Sequence, residues 1–323
     1  MKVLVLGGAG FIGRHAVAAL RAQGHAVVVA GRDPRHARRH PELQGCAYRA
    51  LRFEGIAGAA DAAPLLEGVE AVLNCVGILR ERLHESYAAV HLRAPAALAA
   101  ACREAGLPFV HVSALGLGHP HRSGFLRSKR AGEAAIMASG ADWRIARPSL
   151  LHGRGGYGAR WLRVLARLPL HLVAKAARGR IATLDVGELG EALARLVALP
   201  IAADAPCAAR EFELGGLQAR PLAEYMQSLR IERGAAPAWR LRVPDWLARL
   251  ASHAFDLTHL TPFSFGHWEL LQHDNVPQPN RLPELLGRAP RTIGAVLPLT
   301  PALSAGSPAP AQAGIRTSTG SLP

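Results

Sequence analysis

Lysine is nearly absent from this chain of 323 residues: of 38 basic side chains only Lys2, Lys129 and Lys175 are lysine. The net charge of +14 therefore rests on arginine. One reading is a solvated basic surface; the other is attraction to an acidic partner, a membrane surface or nucleic acid. Nucleic acid is not expected, because there is no zinc-ligand spacing and no aromatic-and-basic ribonucleoprotein motif. Cysteine is scarce too. Cys46, Cys75, Cys102 and Cys207 form no C-x-x-C pair, which points to buried thiols in a reducing compartment and to no metal site. No run reaches the roughly 20 apolar residues needed to cross a bilayer. The apolar start, KVLVLGGAGFIG, is broken by glycines and reads as a strand and turn, not as a secretory signal. The expected location is the cytoplasm, with a peripheral position at the inner face of the membrane as an extension of it.

Short apolar runs alternate with amphipathic ones over the first 150 residues. KVLVLG, HAVVVAG, CAYRALRF, EAVLNCVG, LPFVHVSA and DWRIARPS read as strands. Helices are expected over Phe11–Gly24, from about Leu83 to Ala105, and over Leu126–Ser139. Strands alternating with helices, joined by right-handed crossovers, predict an α/β fold: a doubly wound parallel sheet of Rossmann type. This domain is expected over residues 1–155, with a helix and strand near 180–215 returning to it. A smaller, mostly helical C-terminal cap is expected over 156–300. There, YGARWLRVLARLPLHLVAKAARG reads as a basic amphipathic helix interrupted at Pro169. The Pro/Ser/Gly/Ala-rich segment 301–323 reads as a disordered tail.

The glycine-rich turn carries the first chemistry. Gly7, Gly10 and Gly13 fit G-x-x-G-x-x-G, and Gly8, Gly10 and Gly13 fit G-x-G-x-x-G, between a predicted strand and helix. Such a turn lets backbone approach a pyrophosphate and aims a helix N-terminus at its charge. Dinucleotide binding is the expectation. An acidic residue ending strand two would bind the ribose hydroxyls of NAD; here Arg32 stands there, followed by Asp33. A guanidinium suits a 2′-phosphate, so NADP(H) is expected over NAD(H).

GGAGFIGRH, AVLNCVGILRE, HVSALG, RSKRAGE, DWRIARPSLLHG and DNV…ELLGRAP span nearly the whole chain up to the tail. In them the chain resembles the extended and atypical branches of the short-chain dehydrogenase/reductase superfamily. It is similar, more closely, to bacterial relatives of the nucleotide-binding accessory subunit of respiratory complex I. The resemblance implies that Gly7, Gly10, Phe11, Ile12 and Gly13 cradle the pyrophosphate and that Arg32 meets the adenosine ribose or its phosphate. It implies that Cys75, Val76 and Gly77 line the ribose side. Ser113 would stand at a substrate carbonyl, Lys129 would bind the nicotinamide ribose, and Pro148 and Ser149 would flank the nicotinamide. Two positions depart from the pattern. Arg52 stands where an acidic residue would meet the adenine. Phe125 stands four residues before Lys129, where the superfamily carries its acid tyrosine. Phenylalanine cannot move a proton, and general acid–base catalysis is typically worth about 10²–10⁴-fold. A standard carbonyl reductase is thereby disfavoured, although Ser113 and Lys129 are retained as catalytic candidates.

Replacement acids within reach by sequence are His119, His121, Ser123 and Tyr157. His111, inside a strand, reads as a core residue, and Asp185 as a helix cap. The stretch Val243–Leu271 is rich in aromatics, which core packing explains; the alternatives are a slot for a quinone-like tail and a surface that meets a membrane or membrane complex. Basic residues over 160–180 would suit anionic headgroups. Two functional classes follow. One is an NADP(H)-holding accessory or regulatory protein linked to quinone or respiratory-complex metabolism. The other is an NADPH-dependent reductase or isomerase of a quinone-like molecule with a non-tyrosine acid. RNA binding through the basic surface is a distant third.

Overall fold

In the computed structural model, residues 1–82, 85–258, 261 and 263–295 are described. The expected tail, 301–323, lies outside them. Strand β1 (Lys2–Leu6) runs into α1 (Phe11–Ala22), β2 (Ala26–Gly31), the single turn α2 (Pro34–Ala37) and β3 (Ala47–Ala50). The short α3 (Ala59–Ala62) precedes β4 (Ala71–Asn74); a π-helical turn, Ala88–Arg93, leads into α4 (Ala94–Ala105). Then come β5 (Phe109–Val112), α5 (Gly124–Met137) and β6 (Trp143–Pro148).

The long helix expected from Leu83 is described only from Tyr87, and its first turns are π-wound. This turn packs closely on α5. A Cβ on Gly132 of α5 would lie 1.8 Å from the carbonyl oxygen of His91, so only glycine admits this approach. π-turns of this kind commonly mark functional sites, and His91 reappears below.

Seven strands form one parallel sheet in the order β11–β6–β5–β4–β1–β2–β3. Its first-half order is that of a doubly wound dinucleotide fold. Val3–Leu6 have no exposure at all, as a central strand covered on both faces requires. One face packs against α1 and α7 (Val186–Ala198), with Leu20, Leu189 and Leu193 at its centre; the other packs against α4 and α5 through Leu98 and Ile136. The seventh strand, β11 (Glu211–Leu214), lies parallel to β6 at the edge of the sheet.

Beyond β6 come β7 (Leu151–His152), α6 (Tyr157–Leu165), β8 (Leu170–Ala174), β9 (Arg180–Ala182) and β10 (Leu184–Asp185). After β11 follow β12 (Ala219–Pro221), α8 (Leu222–Ile231), β13 (Trp239–Val243), α9 (Asp245–Thr258), α10 (Phe265–Leu270) and α11 (Leu282–Leu286). Three two-stranded pairs, β7–β10, β9–β12 and β8–β13, are set among these helices. The basic helix expected to resume after Pro169 does not: Leu170–Ala174 is a strand paired with Trp239–Val243. The alternation Leu170, His171, Leu172 has a period of two, and only His171 of the three is buried. Proline also disfavours helical backbone in the residue before it.

Candidate functional site

The C-terminal ends of β1, β2, β4, β5 and β6 deliver Gly7, Arg32, Cys75, Ser113 and Pro148 to one edge of the sheet. This is the edge at which parallel α/β sheets bind ligands. Gly7 adopts φ 71°, and a Cβ on it would press on Val76 Cγ2 at 3.0 Å and the Cys75 carbonyl carbon at 3.3 Å. A Cβ on Gly13 would lie 2.2 Å from the Gly7 oxygen. The turn therefore closes only with glycine at both places. Gly10 is the N-cap of α1, has no side chain to cap it, and the first turn carries no acidic residue. The first N–H groups of α1 are left for an external acceptor, as a pyrophosphate would be. The other helices beside the site are capped by side chains: Ser123 Oγ accepts from Leu126 N, and Asp185, as expected, accepts from Gly187 N. Ile12 packs into the core, and the Phe11 ring fills the space beside Gly156.

At the end of β2 the two candidate ribose residues separate. Asp33 accepts a hydrogen bond from Arg35 N and caps α2. Arg32 reaches outward and pairs with Glu85, which is itself nearly buried. Arg52 stands before a 3-10 turn, exposed beside Glu54.

Next to the glycine turn, Asn74 does work that the sequence reading missed. Its Oδ1 accepts from Val76 N at 3.0 Å, and its amide Nδ2 donates to His111 Nδ1, also at 3.0 Å. Burial pushes His111 down to about 3, so it is the neutral core acceptor expected of it. Burial alone pushes the Cys75 thiol up to about 12, far from a reactive thiolate.

Lys129 Nζ stands 3.8 Å from where a Gly77 Cβ would be, and 5.8 Å from the centre of the Phe125 ring. Burial lowers the ammonium to about 8, while Glu133 one turn on draws it up. Phe125 is buried amid three rings: Tyr87 at 6.0 Å, His91 at 5.7 Å and His267 at 6.0 Å between centroids. His91 Nε2 accepts from Ile78 N at 3.1 Å, and its Nδ1 contacts Ser128 Oγ at 2.9 Å; burial, then Lys129, push it down to about 2. Tyr87 donates its hydroxyl to the Leu79 oxygen at 2.9 Å. His267 comes from α10, more than a hundred residues further along the chain. Its Nδ1 meets Ser264 Oγ at 2.6 Å, and burial pushes it down to about 4. The buried carboxylate of Glu269 seats this helix on α5 by accepting from Arg122 N and Ser123 N at 2.8 and 2.9 Å.

Ser113 is buried, and its Oγ has no hydrogen-bond partner among the described residues. A buried hydroxyl of this kind fits a site that is completed by a ligand. Ser149 is different. Its hydroxyl donates to Asn275, with O at 2.7 Å and Oδ1 at 2.8 Å, and accepts from Ala182 N, so any contact with a nicotinamide falls to its backbone. Pro148 accepts from Leu115 N at 3.0 Å. His121 Nε2 is engaged with the Gly116 oxygen at 2.8 Å, His119 stacks on His273, and Tyr157 begins α6 half-exposed. No cluster of metal-ligating side chains occurs among the described residues.

Residues 7–182, just over half of the chain, match the family described as NAD(P)H-binding. The chain is 32% identical over 201 residues to a ceramide reductase of Caulobacter vibrioides, covering 61% of this chain and 60% of that one. It is 31% identical over 152 residues to subunit 9 of the NADH dehydrogenase [ubiquinone] 1 alpha subcomplex of mouse mitochondria, covering 46% and 40%. The chain thus spans less than two thirds of the length of either relative. In fold it is similar to the NAD-bound UDP-glucose 4-epimerase of Stenotrophomonas maltophila, with a TM-score of 0.62 and 20% identity over 90% of this chain and 94% of that one. The family match over more than half of the chain, with the uncapped glycine turn and the seven-stranded parallel sheet that it accompanies, establishes that the chain belongs to the NAD(P)H-binding family.

Proposed function

We propose that this protein holds NADP(H) as a bound cofactor and serves an accessory or regulatory role in quinone or respiratory-complex metabolism, without steady turnover. The observation that carries the reading is Phe125: the acid position is filled by a ring packed against three other rings, with no hydroxyl on it. In this reading the first turn of α1, from Gly10 to Gly13, holds the pyrophosphate. Cys75–Gly77 and Lys129 receive the ribose side, and Pro148 borders the nicotinamide. Exposed Arg32 takes the 2′-phosphate, and Asp33, engaged in capping α2, leaves it room. The relative in mouse complex I supports the respiratory association, and the proposed location is the cytoplasm, peripheral at the inner face of the membrane.

Titration with NADPH and NADH, followed by nicotinamide fluorescence, tests the binding. Tighter binding of NADPH is expected, with no oxidation when a short-chain quinone is added. Phe125→Tyr restores a hydroxyl beside Lys129 and is expected to bring quinone-dependent oxidation to about a hundredfold above the cofactor's background rate. Steady oxidation by the unaltered protein would sink the accessory reading.

One arrangement favours a second reading, an NADPH-dependent reductase of a quinone-like carbonyl compound. Ser113 Oγ has no partner among the described residues, and His267 stacks on the very ring that replaces the tyrosine. When bound, the nicotinamide would supply the hydride; Ser113 would donate a hydrogen bond to the carbonyl oxygen, neutral His267 would hold that oxygen by a second one from Nε2, and the Lys129 ammonium would supply the proton. The ceramide reductase relative lends this reading support. Loss of oxidation in His267→Phe, with NADPH binding intact, is its expected signature.

A further inference from the structure

Strands β8 and β13 pair in parallel with Trp239 opposite Leu170 and Leu241 opposite Leu172. These four side chains share one face of the pair, since residues in register point the same way and alternate along a strand. All four are exposed, Trp239 by 80% and Leu172 by 63%. Only Pro244 separates β13 from α9. Lys175 N donates to the Val243 oxygen at 3.0 Å and Ala176 N to Asp245 Oδ1 at 2.6 Å, so the start of α9 is tied to the end of β8. Along α9, Trp246, Leu250 and Leu257 recur at i, i+4 and i+11, on one stripe. That stripe faces solvent: Trp246 is 68% and Leu257 84% exposed, while the sole fully buried residue of the helix is Ser252. A surface helix normally turns its apolar stripe inward. Single exposed leucines need no explanation, but a run across three linked elements does.

The charge around this face has one sign. From Tyr157 to Arg178 the sequence carries five basic residues and no acidic one. From Trp239 to Leu250 it carries three arginines and one acid, Asp245, whose carboxylate is engaged by Ala176 N. Arg249, three residues beyond Trp246 on α9, is exposed, as are Lys175 and Arg178 after β8; Arg240 and Arg242 alternate with Trp239 and Leu241 and point to the other face of the pair.

We propose that the outer faces of β8–β13 and α9 form a docking surface for an anionic lipid bilayer. Tryptophan prefers headgroup depth, leucine the acyl boundary below it, and arginine the phosphate layer above. A second copy of this chain would bring the same positive rim against itself, which disfavours a dimer through this face. Nucleic acid would meet the arginines but not the leucines. The association is interfacial, because no helix among the described residues is long and apolar enough to cross a membrane. On its inner side α9 is held by Arg80, whose Nε donates to Asp256 at 3.1 Å. Arg80 itself belongs to the loop that follows β4, three residues beyond Gly77. The assignment nevertheless stands on exposure and charge alone and does not need the nucleotide reading.

Co-sedimentation of the full chain with phosphatidylcholine vesicles, with and without phosphatidylglycerol, tests it. Partition is expected to rise about tenfold with the anionic lipid and to fall with salt. Bromine-labelled lipid should quench tryptophan fluorescence, less so in Trp239→Phe/Trp246→Phe. Trp246→Ser/Leu250→Ser should weaken partition about tenfold through lost apolar burial. Lys175→Gln/Arg249→Gln should do so by a similar factor and flatten the salt dependence. Circular dichroism and thermal melting of both variants report that they fold; should the apolar variant fail to fold, the charge variant and the quenching decide. Equal partition onto both vesicle types, or a folded apolar variant that binds like the parent, would overturn the proposal. So would a concentration-dependent dimer, seen by light scattering, that the apolar variant dissolves, or RNA binding that accounts for all the affinity.

Discussion

Lys129 shows how one side chain changes meaning with its surroundings. In the superfamily pattern its partner is a tyrosine hydroxyl; here the Phe125 ring stands in that place, and in the proposed reading the ammonium is left to the ribose hydroxyls. Burial holds it at about 8, against an ordinary value of 10.5. The ammonium is present below that pH and lost above it. A nucleotide that accepts a hydrogen bond from it raises its pKa, so nucleotide affinity should be flat below about pH 8 and fall as pH rises further. A drop of about tenfold is expected, the worth of a hydrogen bond to a charged group. Lys129→Arg should remove the inflection. NADPH titrations from about pH 7 to pH 10 read this directly, and a flat profile would mean that Lys129 does not touch the nucleotide. The motif RSKRAGE made this lysine legible in the sequence. His267 was not legible, because nothing near it in the chain announces that it will stack on Phe125.

At the scale of elements, α5 is the beam on which the site is mounted. It carries Phe125, Lys129 and Glu133 on successive turns. Glu133 is nearly buried and holds Arg147 of β6 through Nε and Nη2, the latter at 2.7 Å; Glu211 of β11 holds the same guanidinium from the far side. Removing one partner of a buried pair strands the other. Because Glu211 remains, Glu133→Gln is expected to cost about 2 kcal/mol, seen as a fall of roughly 5 °C in melting temperature. It should also move the Lys129 inflection to lower pH, since Glu133 is the charge that draws that ammonium up. The helix itself was legible from its periodicity. Its ion pair was not, because Arg147 and Glu211 lie on strands that meet only in the folded sheet. The strand after Pro169 is the converse case. Its arginine-rich surroundings suggest a continued helix, and pairing with Trp239–Val243 decided otherwise.

The whole molecule carries buried histidines that make its stability sensitive to acid. His91 and His111 are both almost fully buried, and burial pushes them to about 2 and about 3. The folded chain keeps them neutral, whereas the unfolded chain protonates them near 6.5. Stability is therefore complete above about pH 6.5 and falls as the pH drops below it. The loss should reach about 1 kcal/mol per histidine one pH unit lower. Denaturant unfolding at pH 7 and at about pH 5.5 measures it, and His111→Asn should reduce the slope. An unchanged midpoint would mean that these rings are protonated in the fold.

By itself the sequence determined the parallel α/β plan and the place of the glycine turn, and it marked Phe125 as a departure. These are local matters: hydrophobic period, turn chemistry and short motifs are all carried by neighbours in the chain. Only the tertiary structure decided which polar groups are engaged. It committed Asp33 to a helix cap and Arg32 to Glu85, tied the Ser149 hydroxyl to Asn275, and left Ser113 Oγ without a partner among the described residues. It also decided that the bulky apolar residues after residue 238 divide between core and surface: Phe265 turns inward, and Trp239 and Trp246 turn outward. Hydrogen-bond partners and exposed faces are set by segments far apart in sequence, and no local pattern encodes which of them will meet.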